Sequence, residues 1–332
     1  MDRSSNTSDT IYGNFFGRLI SKSQFSKVDL GTNFDIFLKF EGFNPAGSIK
    51  LKTALALVAD CENSGKLNQG AQLIESSSGN LGIALAMVCA NRGYKFTCVV
   101  DPNASAVSLS IIRALGATVV IVKDKDSNGG YLGTRINYIK QQVSRNSSFI
   151  WLNQYKNPAN PKGHECTTAI EIIAQYPNVD YIVVGAGTTG TLMGCSQYVR
   201  KIGHPAKIIA VDIIGSVTFG GKPGPRKIPG LGTSRKPEIC ETTIVDDVVW
   251  VSEIDTIRQC WWFAKKYGML LGGSSGSVLV GIHSYKNKIP RNSTVVTISP
   301  DCGSKYVNTI YSNDWVNCHF PSALEEGALT SV

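Results

Sequence analysis

The chain has 332 residues, of which 42% are hydrophobic and 17% are charged. This composition can fill the core of two domains or of one large α/β unit, and it excludes a chain that is disordered as a whole. The net charge of +8 comes from dispersed basic residues. Without a basic stripe or a recognisable module, that charge argues against nucleic-acid binding and fits a protein that handles anionic small molecules.

The cysteines and the apolar runs indicate the compartment. The nine cysteines are scattered, and none forms a C-x-x-C pair. This pattern excludes the common zinc spacings, so we predict no metal site, and it fits reduced thiols of the cytoplasm better than a disulfide framework. Polar residues interrupt the apolar runs, and residues 1–10 are polar. We therefore predict no membrane span, no secretory signal, and a short disordered lead at 1–10.

Short apolar runs alternate with longer amphipathic segments along the chain. In order, the predicted strands are 34–40, 72–75, 96–100, 118–122, 181–184, 207–211 and 295–298. The predicted helices are one from residue 49 onward, then 81–92, 106–115, 133–143, 192–201 and 256–267, and one that follows the turn at 272–277. Repeated strand–helix order with β-branched strands predicts parallel sheets covered on both faces, with ligands at the carboxyl ends of the strands.

Lys50 stands at the start of a predicted helix, directly after the turn Asn-Pro-Ala-Gly-Ser at 44–48. Proline and glycine favour a tight turn there, and the apolar spacing from Leu51 onward is helical. A lysine in the first turn of a helix is unfavourable, because the backbone N–H groups point outward at that end. Such a departure from local preference marks a candidate functional residue, although a solvated surface lysine is the commoner explanation.

Three further turns, at 76–82, 185–191 and 272–277, are rich in glycine and hydroxyl residues, and each opens a helix. Hydroxyls and backbone N–H groups at a helix start suit a carboxylate or a phosphate, although helix capping can explain each turn alone. The second turn also fits G-x-G-x-x-G with Asp212 following, so an NAD-dependent dehydrogenase is an alternative. Together with Lys50, the turns indicate a Schiff base to a phosphate-bearing carbonyl cofactor.

Six segments resemble, in the same order, the cysteine synthase/cystathionine β-synthase family of fold-type II pyridoxal-phosphate enzymes. They are 44–50, 77–86, 153–155, 157–161, 187–191 and 273–277. The resemblance implies pyridoxal 5′-phosphate as cofactor, amino-acid substrates, a homodimer, and two three-layer α/β domains with mainly parallel sheets. It further implies that a smaller domain at 46–150 moves to close over the substrate, and that the larger domain combines 11–45 with 151–332.

The same resemblance implies the roles of the site residues. Lys50 would carry the cofactor and then act as the base on the substrate Cα–H. Asn80 would bond the 3′ oxygen of the cofactor, and Ser274 its pyridine nitrogen. The cofactor phosphate would be held by Gly187, Thr188, Thr189, Gly190 and Thr191. The substrate carboxylate would be held by Ser77, Ser78, Asn80, Leu81 and Gln154.

A closer resemblance is to the 2,3-diaminopropionate branch of this family, which includes the N-(2-amino-2-carboxyethyl)-L-glutamate synthase of staphyloferrin B assembly. It is carried by 129–136, 151–155, 215–220 and 229–235. It implies a transferase that joins O-phospho-L-serine to L-glutamate through an aminoacrylate, in siderophore or antibiotic biosynthesis, with Arg135 and Tyr155 near the substrates. Gly187 and the run 157–161 are of ordinary cysteine-synthase type. Cysteine synthesis from sulfide and O-acetyl- or O-phospho-L-serine is therefore the alternative, and a non-catalytic binding module a remote one.

The segment 215–237 is rich in Gly, Pro, Lys and Arg and shows no periodicity. A loop of this length in a compact domain is usually functional or mobile. Its basic residues Arg226, Lys227 and Arg235 predict a phosphate leaving group, and Arg226 is predicted to contact the substrate, since guanidinium donors match phosphate geometry. Solvated loop charges are the competing explanation.

Overall fold

The computed structural model describes Phe16 and residues 24–67, 70–126, 130–321 and 323–324. The predicted lead at 1–10 and Gly129 of the 129–136 motif lie outside the described residues. The chain divides into two compact units, Met1–Ile20 with Asn44–Gly163, and Ser21–Phe43 with His164–Val332. The first unit thus runs past residue 150, where the sequence analysis places the end of the smaller domain.

The helices and strands follow one another in this order. The strands are β1 (Gln24–Val28), β2 (Asp35–Phe40), β3 (Gln72–Ser76), β4 (Lys95–Val100), β5 (Thr118–Ile121), β6 (Phe149–Trp151), β7 (Tyr181–Gly185), β8 (Lys207–Ile213), β9 (Asp247–Val251) and β10 (Thr294–Ser299). The helices are α1 (Lys50–Asn63), α2 (Asn80–Arg92), α3 (Ala106–Ala114), α4 (Leu132–Arg145), α5 (Ala159–His164), α6 (Ile170–Gln175), α7 (Gly190–Lys201), α8 (Glu253–Tyr267), α9 (Gly273–Tyr285) and α10 (Asn313–His319). A π-helical turn, Glu165–Ala169, separates α5 from α6. Each strand and helix predicted from periodicity is confirmed.

The first unit is built on a parallel sheet with the strand order β5-β4-β3-β6. Helices cover the sheet, so β3 and β4 are buried along almost their whole length and do not alternate between buried and exposed residues. Cys89 and Cys98 belong to the core of this unit and are 1% and 0% exposed. A Cβ at Gly82 would lie 2.9 Å from Cys98 Sγ, so this glycine lets α2 pack closely on β4.

The second unit is built on a six-stranded sheet with the order β1-β2-β10-β7-β8-β9. All neighbouring pairs are parallel except β1 and β2, which are antiparallel at the edge. A Cβ at Gly281 would lie 2.5 Å from Val211 Cγ2, so α9 lies close against β8. The prediction of mainly parallel sheets in two α/β domains is confirmed. Among the described residues, no helix is long and apolar enough to cross a membrane.

The strands that the sequence analysis missed are β1, β6 and β9, of which β9 is a mainly apolar run of five residues that the analysis left unassigned. Strand β6 has three residues, which is too few for a periodicity to be recognised. Strand β1 is the sheet edge and is mostly exposed, so it lacks a buried apolar run. Residues 214–241 contain no helix or strand, which confirms the predicted irregular loop at 215–237.

Candidate active site

The turn before Lys50 is held together by Asn44. Its carbonyl accepts from Gly47 N–H at 2.8 Å, and its side-chain amide donates to the Ser48 carbonyl, also at 2.8 Å. Gly47 has a φ of 62°, in the left-handed region that glycine tolerates. Helix α1 begins at Lys50, as predicted, and no side chain caps its start. Lys50 is half-buried, so it differs from a lysine that is free in solvent.

The serine turn joins the end of β3 to the start of α2. Ser77 Oγ accepts from Gly82 N–H at 3.0 Å and thereby satisfies one of the first donors of the helix. Asn80 is the first residue of α2 and is half-buried, and Leu81 is buried. The turn therefore has a fixed conformation, as a site for a small anion requires.

Ser78 is linked to Arg135 of α4. The guanidinium Nη1 of Arg135 donates to Ser78 Oγ at 2.7 Å, and it lies 3.2 Å from Asp101 Oδ2. Ser78 in turn donates to the same Asp101 oxygen at 2.8 Å. The Arg135 side chain is 12% exposed, and its Nε is buried without a hydrogen-bond partner among the described residues. Two predicted site residues are thus brought into direct contact.

Gln154 lies beside the same turn. Its side-chain amide donates to the Ser76 backbone carbonyl at 3.0 Å, and its backbone carbonyl accepts from Asn160 Nδ2 at 2.8 Å. Tyr155 follows it and is half-buried. The serine turn after β3, Asp101 after β4, and Gln154 after β6 occupy the carboxyl ends of neighbouring parallel strands. This is where ligands bind in open α/β sheets.

Glu75 is a buried carboxyl that the sequence analysis missed. It is fully buried on β3, and its two oxygens accept from Ser76 N–H at 2.7 Å and Gln154 N–H at 3.1 Å. Burial raises the pKa of Glu75 to about 7, although these bonds oppose the shift. A signal was present in the sequence, since this glutamate directly follows the apolar pair Leu73 and Ile74 in a predicted strand.

In the second unit, the turn 187–191 connects β7 to α7. A Cβ at Gly187 would lie 2.5 Å from the Gly230 carbonyl oxygen, so only glycine fits there. Thr189 has a φ of 67°, which is strained for a β-branched residue, and it is 2% exposed. Among the described residues, the side chain of Thr189, the N-cap residue of α7, makes no capping hydrogen bond. An uncapped helix start with hydroxyls at Thr188 and Thr191 fits a phosphate group.

Ser274, the second residue of α9, lies close to this turn in the second unit. It is 8% exposed, and a Cβ added to Gly230 would collide with its hydroxyl oxygen. Gly230 has a φ of 118°, which suits glycine. The backbone at Gly230 therefore touches Gly187 on one side and Ser274 on the other. The second unit thus brings together the residues that the resemblance assigns to the phosphate and the pyridine nitrogen.

Hydrogen bonds within the irregular loop at 215–237 connect its residues to one another. The hydroxyls of Ser216 and Thr218 lie 3.2 Å apart, and those of Thr218 and Thr233 lie 2.8 Å apart. Arg226 donates to the Gly215 carbonyl. Arg235 forms an exposed ion pair with Glu238 at 2.7 Å, and Lys227 is exposed.

Asp212 bears on the dehydrogenase alternative. The side chain is 0% exposed, and its Oδ1 accepts from Ile213 N–H at 2.8 Å. Burial raises the pKa of Asp212. A carboxylate that binds a ribose must have an oxygen open to the nucleotide. A buried, raised-pKa carboxyl turned toward its own backbone does not meet that requirement.

His164 is a second residue that the sequence analysis missed. It is fully buried, its Nε2 lies 3.3 Å from Thr191 Oγ1, and its Nδ1 lies 3.1 Å from Thr168 Oγ1. The sequence analysis predicted no helix between 143 and 192, so periodicity gave no position for this side chain.

Comparison with known proteins gives a consistent result. The family model described as "Pyridoxal-phosphate dependent enzyme" matches residues 19–301. An N-(2-amino-2-carboxyethyl)-L-glutamate synthase of Ralstonia nicotianae is 40% identical over 294 residues, which cover 88% of this chain and 87% of that protein. The solved O-ureido-L-serine synthase is 30% identical with a TM-score of 0.82, covering 96% of this chain and 99% of that one. The O-acetylserine dependent cystathionine beta-synthase from Helicobacter pylori is 30% identical with a TM-score of 0.83, covering 90% and 98%.

Proposed function

Because the chain belongs to the family of pyridoxal-phosphate dependent enzymes, we propose that it joins O-phospho-L-serine to L-glutamate and releases phosphate. The product would be N-(2-amino-2-carboxyethyl)-L-glutamate. The observation that carries this proposal is the 40% identity over 294 residues to a synthase of that name. The β-replacement chemistry itself is common to the cysteine synthase-like enzymes that the chain resembles, and the choice of substrates is the proposed part.

The residues of the chain fit the cofactor. Bound pyridoxal phosphate draws electrons from the substrate Cα and so allows the β-substituent to leave. Lys50 supplies the amine that holds the cofactor, removes the Cα proton and later returns it. The turn that contains Gly187 and Thr191 supplies N–H and hydroxyl donors for the phosphate. Ser274 offers the pyridine nitrogen a neutral hydroxyl, which favours loss of the β-substituent over transamination.

The remaining proposed residues would hold and orient the substrates. Ser77, Ser78, Asn80, Leu81 and Gln154 are proposed to bind the donor carboxylate. In the reaction, the Cβ–O bond breaks and phosphate leaves with the electron pair. The glutamate nitrogen then forms a bond to Cβ and loses a proton.

The donor preference rests on the basic loop at 215–237. Lys222 and Lys227 are exposed there, and Arg226 lies in the same segment. Positive charge assists the departure of a phosphate group more than that of an acetate group, which carries less negative charge. Steady-state turnover with O-phospho-L-serine is therefore expected to exceed that with O-acetyl-L-serine at equal concentrations. Faster turnover with the acetyl ester would reverse this choice and leave the β-replacement chemistry intact.

Arg135 is proposed to bind a carboxylate of glutamate. Its guanidinium is held by Asp101 and Ser78 in the first unit, and its buried Nε has a donor to offer. Lysine would keep the charge but lose the paired donors. We expect Arg135→Lys to raise the KM for glutamate by about 10-fold, with a smaller change in the KM for O-phospho-L-serine. Arg145→Lys, an exposed change on the same helix, is the control. An unchanged KM for glutamate in Arg135→Lys would contradict this role.

Cysteine synthesis is the second candidate. Gly187 and the run 157–161 are typical of cysteine synthases, and one similar structure is an O-acetylserine dependent cystathionine beta-synthase. Mass analysis of the products formed from O-phospho-L-serine with glutamate, with other amines and with sulfide separates the two candidates. We expect the glutamate adduct as the main product. Cysteine as the only product would eliminate the glutamate reaction.

We further propose a homodimer in the cytoplasm, with closure of residues 46–150 over the bound substrate. Closure would exclude water from the reacting carbon. The structure forms no disulfide between the described cysteines, as a reducing compartment favours. A siderophore or antibiotic pathway is the proposed destination of the product. A monomeric mass in solution would refute the dimer without affecting the chemistry.

A further inference from the structure

We propose that His164 is a positioning residue that turns the Thr191 hydroxyl toward the cofactor phosphate. This inference rests on the proposed role of the turn 187–191. His164 is the last residue of α5, and it is followed directly by the π-helical turn Glu165–Ala169. Turns of the π type are rare and occur frequently at functional sites. The side chain of His164 is fully buried.

The two ring nitrogens of His164 each face one hydroxyl. Nε2 lies 3.3 Å from Thr191 Oγ1, and Nδ1 lies 3.1 Å from Thr168 Oγ1. Thr191 is the second residue of α7 and is half-buried. The ring therefore sits between a hydroxyl of the π-helical turn and a hydroxyl of the proposed phosphate turn.

The number of protons determines which way the bonds run. Thr191 has a single hydroxyl proton, and a fully ionised phosphate only accepts hydrogen bonds. If Thr191 donated to His164, it would have no proton left for the phosphate. His164 must therefore carry its proton on Nε2 and donate to Thr191. In the neutral ring, Nδ1 then accepts from the Thr168 hydroxyl. Protonation of Nδ1 would keep the Nε2 proton, so this direction does not depend on the charge of the ring.

Contacts between the π-helical turn and α7 fix the position of His164 relative to Thr191. The π-helical turn packs along α7, and Glu165, the residue after His164, pairs with Lys201 at the other end of α7 at 3.0 Å. A hydroxyl that is oriented before binding costs less entropy to order when the phosphate arrives. His164 is thereby expected to strengthen phosphate binding without touching the cofactor itself.

Two substitutions separate the two ring nitrogens. In His164→Asn the amide can replace Nδ1 but does not reach the position of Nε2, whereas in His164→Gln an amide N–H can occupy the Nε2 position. The full-length protein, freed of cofactor, is titrated with pyridoxal phosphate and, separately, with pyridoxal, which lacks the phosphate. We expect His164→Asn to raise the dissociation constant for pyridoxal phosphate by about 10-fold. The affinity of His164→Asn for pyridoxal should stay unchanged. His164→Gln should lose less affinity for pyridoxal phosphate than His164→Asn does.

Thr191→Val provides the discriminating background. If His164 acts through Thr191, adding His164→Asn to Thr191→Val should cause little further loss of affinity for pyridoxal phosphate. Unchanged affinity in Thr191→Val itself would overturn the phosphate turn and the role of His164 together. If Thr191→Val lowers the affinity for pyridoxal phosphate and His164→Asn does not, the role of His164 alone would be overturned. Equal losses for pyridoxal phosphate and pyridoxal in His164→Asn would also overturn it, since that result indicates general damage to the fold.

Discussion

Replacing Lys50 by alanine is expected to lower turnover by at least about 10³-fold, because the loss of a positioned base alone costs 10²–10⁴-fold. Lys50 is the half-buried first residue of α1 and follows a turn that Asn44 holds rigid. We propose two roles for its amine, as the attachment point of the cofactor and as the base on the substrate Cα–H. The variant should also lose the visible absorbance of the lysine-bound cofactor.

Steady-state rates and absorbance spectra of the purified proteins test this expectation. Lys66→Ala, which removes an exposed lysine just beyond α1, is the matched control and should keep both properties. The wild-type protein should be yellow, and borohydride should bleach it irreversibly. A Lys50→Ala protein that turns over at the wild-type rate would show that another group carries the cofactor.

Glu75 is expected to make the free energy of unfolding depend on pH. Its pKa in the folded protein is raised by burial from its ordinary value of 4.5 to about 7. The folded state therefore binds more protons than the unfolded state in this window. The contribution of Glu75 is at its most favourable below pH 4.5 and is lost as the pH rises through about 7. Between about pH 5 and pH 8 the loss should reach about 2.5 kcal/mol.

Glu75→Gln removes the titration and keeps the volume of the side chain. The test is urea unfolding of both proteins across that pH range, since the difference between them cancels the other titrating groups. The stability of the wild type relative to Glu75→Gln should fall as the pH rises. Glu238→Gln, an exposed substitution in the loop, is the matched control for the loss of one carboxylate. A flat difference for Glu75→Gln would show that the Glu75 pKa is not raised in the folded protein.

Local chemistry made much of the site predictable. The turn before Lys50 needs glycine at a positive φ, and the turn at 187–191 needs glycine because Gly187 lies against a carbonyl. Such requirements leave a signature in the residue types themselves. Seven of the ten described strands were predictable for a similar reason, since strands buried on both faces contain apolar runs.

The contacts between distant residues were not predictable in this way. Arg135 and Ser78 are 57 positions apart and meet only because β3 and β4 are neighbours in the sheet that α4 covers. Glu75 depends in the same way on Gln154, which is 79 positions away. The resemblance placed Arg135 near the substrates, but its bond to Ser78 became visible only in the structure.

By itself, the sequence determined the α/β class, the lysine at the start of α1 and the glycine- and hydroxyl-rich turns, because these depend on residue types that are close together in the chain. The tertiary structure alone decided which polar groups meet. It buried Glu75 beneath Gln154, turned Asp212 toward its own backbone, and set His164 between two hydroxyls. The physical reason is that burial and hydrogen-bond partners depend on strand order and helical register, and a single π-helical turn is enough to change that register.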